Sequence, residues 1–483
     1  MDLTQYRKRA GQYLAERAEE LYRYVSGHQT TLDLGPIYDK YCAELFSDEV
    51  VKELQQYHST RKEAEERPIR CLLKFAIEHN LANRVRSLDE QIAVGSINAD
   101  VHTLEMKLAN TADRNERRDI YQELRNRMDA IHLLRSERLA VYESSGRQLA
   151  GKTYAELYSD LTGLDLGLLR SQVTRFLQAS RDYYYSHLRR FSELSLSLKS
   201  EDVMPWDVPR LLRGSPYDSH FVEGKAMSMA KRTLMGLGID LKKMANIVID
   251  AEERAQKSAA PHCIRANVPE KIYLVLRPQG GLVDILRLFH EVGRCLHAAN
   301  VKKDATFEDR YLGDRAVPRT MGFLLQYVVL NHEWLADYLK LQCSEELRSF
   351  VHLKKLYDLR QEAVRFLSTL EYLGDNQPSE KDLTDRICRK YGEVLGHPAD
   401  VEFALASLEK PLSSTDFLRG WIFEAELREI IVNRFGERWY SRPAAGDFLN
   451  ELWQYGQHFS VEELASRVRL VELNMGPITR ELA

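Results

Sequence analysis

Apolar side chains recur along most of this chain at intervals of three and four, the spacing that gathers them on one face of a helix. Residues from about 4 to 26 read as a charged helix rich in Ala, Glu, Arg and Tyr. Residues from about 37 to 145 read as several more, with Asp113-Arg114-Asn115-Glu116-Arg117 opening a long one. Leu124, Met128, Ile131 and Leu134 then mark its buried stripe. Further helices are expected at about 318–341, 344–374, 379–391, 414–435, 443–455 and 460–468. The charges between the apolar stripes are the solvated sides of these helices.

One segment breaks the helical period. Lys271-Ile272-Tyr273-Leu274-Val275-Leu276-Arg277 is rich in strand-forming residues and stops at Pro278-Gln279-Gly280-Gly281, a strong breaker. A helix over 282–299 starts directly after it. At about 100° per residue, Ile285, Leu288, Phe289, Val292 and Leu296 fall on one side of that helix. Arg287, His290, Glu291 and Arg294 fall on the other, with His297 near them. The fold class is therefore mainly α, with a small β element beside this helix.

Between Ser197 and Ser215 the texture changes. Met204-Pro205-Trp206-Asp207-Val208-Pro209 reads as a loop, and Gly214-Ser215-Pro216-Tyr217 has turn chemistry. This divides the chain into an N-terminal helical part, 1–200, and a C-terminal part, 201–483, that contains the helix 282–299. No Gly/Ser-rich linker lies between them, so the two parts are expected to pack together.

Composition narrows the function classes. A net charge of −4 lacks the basic bias of a general nucleic-acid binder. No apolar run approaches the roughly 20 residues that span a bilayer. The start, Met1-Asp2-Leu3-Thr4-Gln5-Tyr6-Arg7, mixes acid and base and has no apolar core segment, unlike a secretory signal. Cys42, Cys71, Cys263, Cys295, Cys343 and Cys388 are scattered without a CxxC pair. That reads as free thiols in a reducing compartment. A cytoplasmic location follows, with no nucleic-acid and no membrane partner.

The candidate chemistry sits on the helix 282–299. His290-Glu291-Val292-Gly293-Arg294 is a zinc-peptidase HExxH motif whose second histidine has become arginine. In an intact motif the two histidines, at i and i+4, face one metal, and the glutamate activates its bound water. A guanidinium is always cationic and offers a metal no lone pair. Glu291 is thus a remnant general base and His290 a remnant ligand. His290 and His297 lie two turns apart, roughly 10 Å along the axis, too far to share one ion unaided. Glu291 is better placed to pair with Arg294, three residues on.

The segment from Lys257 to His297 resembles the thimet oligopeptidase and oligoendopeptidase F family of zinc peptidases. The matching features are Lys257-Ser258 with Cys263, Val268-Pro269, the strand, Arg277-Pro278-Gln279-Gly280-Gly281, Leu288 to Gly293, and Leu296-His297. Trp206-Asp207, Gly236 to Asp240, and the run from Trp439-Tyr440 through Glu462-Glu463-Leu464 also look familial. The resemblance implies an elongated, multi-helix oligopeptidase-like fold with a central cleft. It also shows three losses. Arg294 stands at the second histidine. Ala316, or a neighbour, stands where the family's glutamate ligand would be. The family's Tyr- and His-rich loop corresponds to Leu412 through Trp421, which holds neither residue.

The expected function is therefore that of a degenerate oligopeptidase, without zinc hydrolysis and with no cofactor. It would bind a peptide or protein segment in the former active-site cleft. Tyr273, Arg277, Gly280, Gly281 and His297 are the candidate contacts, and the strand 271–277 offers itself for pairing with an extended peptide. An alternative is an active metallo-oligopeptidase that cleaves short peptides with zinc held by a non-standard set, His290, Glu291 and an acid such as Glu308 or Asp314. Asp309 is a third acid there, and N-cap or loop duty is the plainer role for all three. A further alternative is thiol chemistry at Cys295, although that residue faces away from His290.

Overall fold

The computed structural model describes the chain except residues 61–62, 99–100, 342–343, 375–379, 407, 409, 471–472 and 482–483. The described residues are mainly helical, with one three-stranded sheet. They fall into two compact units, each built from separated stretches of sequence. The first comprises 1–80, 217–344 and 419–477; the second comprises 81–216, 345–418 and 478–483. One passage between units, at 216/217, falls beside the turn marked in the sequence; the others lie within helical sequence or near helix ends. Among the described residues no helix is long and apolar enough to cross a membrane.

In the first unit, the helix Leu3–Val25 is started by Asp2, whose carboxylate accepts from the Thr4 and Gln5 amides at 2.8 and 3.2 Å. Its last turns pack on the sheet. Val25, Ile264, Ala266, Tyr273 and Val275 form one buried cluster, and Tyr22 stacks on Tyr273 at 3.8 Å. The sheet comprises β1 (Ile247–Asp250), β2 (His262–Asn267) and β3 (Lys271–Val275) in the order β1-β3-β2. β3 runs parallel to β1 and antiparallel to β2. The strand visible in the sequence is therefore the central one, with hydrogen-bond partners on both edges. This corrects the expectation that 271–277 could accept an extended peptide. Its continuous apolar run, Ile272 to Val275, is what burial on both faces requires.

The motif helix spans Leu282–Ala299, within the expected bounds. It is buried almost all round, so the anticipated polar stripe is not a solvent face. Its closest neighbour is the helix Ala316–Gln326, and glycines make the close approach possible. A Cβ on Gly293 would stand 2.2 Å from the Met321 carbonyl oxygen, and one on Gly322 would stand 2.7 Å from the His290 ring. The helix expected over 318–341 is interrupted. After Gln326 comes a 3₁₀ turn, Tyr327–Leu330, and Asn331 then caps a new helix, His332–Leu339, by accepting from the Trp334 amide at 2.9 Å.

In the second unit, Asp113 caps the helix Arg114–Asp129 as its sequence position suggests, accepting from the Glu116 amide at 2.8 Å. Leu124, Met128 and Ile131 are buried, and the helix ends before Ile131. Asp207, fully buried in the expected loop, accepts from Arg117 at 2.7 Å and Arg114 at 3.0 Å. The long helix Glu345–Tyr372 carries buried Arg360, which donates to the carbonyls of Val394 and Leu177 and to Ser180 Oγ, beneath the ring of Tyr184. Each burial of charge is thus matched by hydrogen bonds. The helix Glu380–Leu395 is present, and its expected start at 379 lies outside the described residues.

Candidate ligand site beside the motif helix

The motif side chains point to two different surroundings. His290 turns toward the helix Ala316–Gln326. Its ring lies 4.8 Å from the ring of Phe323 and occupies the space that Gly322 leaves. Burial lowers its pKa to about 4, so the imidazole is neutral at pH 7. Its Nδ1 is buried and has no hydrogen-bond partner among the described residues. Ala316, the first residue of that helix, is fully buried and its side chain offers no donor atom.

Glu291 and Arg294 turn toward β2. Arg294 Nη1 donates to both carboxylate oxygens of Glu291, at 3.0 and 2.8 Å. The Cys263 amide donates to Glu291 Oε2 at 2.8 Å. The i,i+3 pair expected from the sequence is therefore present, and the strand adds a third donor. Burial alone would raise the pKa of Glu291, but Arg294, His290 and the Cys263 amide outweigh it and hold the carboxyl below its ordinary value. A general base at neutral pH needs the opposite shift. Glu291 is built as the anchor of an ion pair.

The other candidate ligands are engaged elsewhere. Glu308 accepts from Arg7 at 2.7 Å, and Asp309 from Arg67 and His458, each at 3.0 Å. Asp314 takes Arg419 on both oxygens and accepts from the amides of Ala316 and Val461. Glu308 and Asp309 lie in the short helix Phe307–Tyr311, which Thr306 caps, so of the three acids only Asp314 stands in a loop, and all three serve in ion pairs. Among the described residues no three His, Cys, Asp or Glu side chains converge as a metal would need. The donor set at this helix does not fit a catalytic zinc, which takes three protein ligands and an open position.

The candidate peptide contacts are mostly spent on the fold. Tyr273 is buried and donates its hydroxyl to Glu19 at 2.9 Å. His297 is buried, its Nε2 lies 3.0 Å from the Gly456 carbonyl oxygen, and burial lowers its pKa to about 4. Gly280 and Gly281 form the positive-φ entry to the motif helix: Asp284 accepts from the Gly280 amide, and the Gly281 amide donates to Phe221. These four residues are thus engaged within the fold, and of the five candidates only Arg277 is exposed. Cys295 is buried against the Tyr273 carbonyl, and burial raises its thiol pKa. A hydrogen bond from Cys295, aided by Arg294 and opposed by burial, holds Cys263 below the usual thiol value. Cys343 lies outside the described residues.

Arg294 and Cys263 line a cavity of about 380 Å³ inside the first unit. The helix Leu3–Val25, the helix Glu63–Arg84, β2 and the stretch Tyr311–Arg315 supply its other walls. Five cations line it: Arg17, Lys74, Arg265, Arg294 and Arg315. Glu291 neutralises Arg294, and Glu78 pairs with Arg315 at 3.0 Å. Sequence reasoning did not find this site, since Arg17, Lys74 and Arg265 belong to three elements far apart in the chain. Comparison with protein-family models and with curated proteins finds no match to this chain.

Proposed function

We propose that this chain is a degenerate oligopeptidase-like protein. In this reading it keeps an oligopeptidase-like fold and the former active-site cleft, binds a peptide or protein segment there, and performs no zinc-dependent hydrolysis. The observation that carries it is the conversion of the HExxR turn into a closed electrostatic unit: Arg294 and the Cys263 amide saturate the Glu291 carboxylate. With His290 turned toward Gly322 and Phe323, the remnant acid and the remnant ligand share no open metal position. The sequence resemblance supplies the fold and the class of ligand. The reading takes the protein as cytoplasmic and as working without a cofactor, a nucleic-acid partner or a membrane.

A short-peptide library tests it in two steps. Incubation with zinc is expected to give no cleavage that a chelator suppresses, while equilibrium dialysis of the same peptides is expected to show binding. Chelator-sensitive turnover, lost in Glu291→Gln, would overturn the reading in favour of a metallo-oligopeptidase with an unusual ligand set.

A further inference from the structure

The cavity beside the motif helix has more positive charge than its own carboxylates balance. Among the described residues, Arg17, Lys74 and Arg265 have no hydrogen-bond or ion-pair partner. Lys74 and Arg17 stand near Glu78, whose carboxylate is already held by Arg315. Arg265 is flanked by Arg294 and Arg315. Burial, together with these two like charges, pushes its pKa below the ordinary guanidinium value. An Arg fork gathered with other cations in a partly dry pocket is the arrangement that receives a planar anion.

Glu78, His79 and Tyr311 also line the cavity, and apolar side chains complete it. Leu14, Leu21, Leu32 and Ile264 line it, and Leu21 and Leu32 are exposed by 38% and 40%. Exposed leucines beside a cavity suit a ligand with an apolar body. The volume of about 380 Å³ lies in the range of small-molecule sites.

We propose that this cavity binds a carboxylate carried on an apolar body, with Arg265, Lys74 and Arg17 receiving the carboxylate and the leucine wall receiving the body. Two sources present that chemistry: the free C-terminus of an apolar peptide, and an aliphatic acid. The inference deepens the peptide-binding reading and rests on it for the source of the carboxylate alone.

Isothermal titration of the full chain separates the two. The probes are a Leu-rich tripeptide as free acid, the same tripeptide amidated at its C-terminus, and decanoate. The free-acid tripeptide is expected to bind at least about tenfold more tightly than the amide, because a charge-assisted hydrogen bond is lost. Arg265→Met is expected to weaken the free acid by a similar factor, with Arg265→Lys restoring part of it. Removing an unpaired cation leaves no partner stranded, so Arg265→Met should melt no lower than the parent protein. Binding of decanoate without the tripeptide acid would support the carboxylate site and count against the peptide reading. Equal binding of acid and amide, insensitive to Arg265→Met, would overturn the carboxylate site while leaving peptide binding intact. Failure of all three probes to bind at millimolar concentration would also overturn it.

Discussion

A single side chain decides the character of the motif helix. A histidine at 294 would be neutral and open to a metal; the arginine there is a permanent cation three residues from Glu291, and it takes both carboxylate oxygens. Breaking that pair strands a half-buried carboxylate. Arg294→Met is therefore expected to cost about 2 kcal/mol at pH 7, less than a fully buried pair because both groups keep some solvent. The sign of the pH dependence follows from Glu291. Its folded pKa is depressed, so the stability it contributes is present above the ordinary carboxylate value and lost as pH falls through the folded one. Chemical denaturation at pH 7 and at pH 4 should show the gap between parent and Arg294→Met shrinking in acid; a constant gap would contradict the pair's role. His290 and His297 act in the same direction. Both are neutral when folded, with pKa near 4, against about 6.5 when unfolded. Their stabilisation is complete above pH 6.5 and falls as pH drops toward 4. Linkage gives roughly 2 kcal/mol for each by pH 5. His297→Gln should lessen the acid loss measured between pH 7 and pH 5.

The element that carries the site is the crossing of the motif helix with the helix Ala316–Gln326. Gly293 was legible in the sequence as part of the resemblance to the oligopeptidases; its task, letting the Met321 carbonyl approach, was not. Gly293→Ala would place a methyl group 2.2 Å from that oxygen. Since the neighbour is backbone, the helices must separate, and the expected loss is about 3 kcal/mol or more. A thermal melt within a degree of the parent would show that the crossing is looser than described. The sheet shows where pattern reading stops. β3 is a run of apolar and aromatic residues and announces itself. β2 carries His262, Arg265 and Asn267, and β1 has four residues ending in Asp250, so neither shows a clean alternation. Missing them made β3 look like a free edge when it is the centre of the sheet. The helix expected over 318–341 broke for a similar reason, because Asn331 is a cap only when its side chain turns back onto Trp334.

At the scale of the whole molecule, the sequence reveals helices and conceals assembly. The motif helix and most of the long helices fall where apolar spacing puts them. The cavity does not, because its charge is assembled from Arg17, Lys74, Arg265 and Arg315, none of which stands out in its own segment. Nor does the assembly of each unit from separated stretches of sequence, which three-residue and four-residue periods cannot encode. The same distinction governs function. The arginine at 294 and the alanine at 316 are visible letter by letter. That Glu291 is consumed by Arg294 and the Cys263 amide, and that His290 faces Gly322, required the fold.

The central claim is that no zinc binds tightly at this helix, and the metal content of the purified protein tests it most directly. After incubation with zinc and desalting, elemental analysis is expected to find less than about a tenth of an equivalent, since a catalytic site needs three protein ligands and no three such side chains converge among the described residues. Close to one equivalent per chain, reduced in His290→Ala, would contradict the account and restore the metallopeptidase reading.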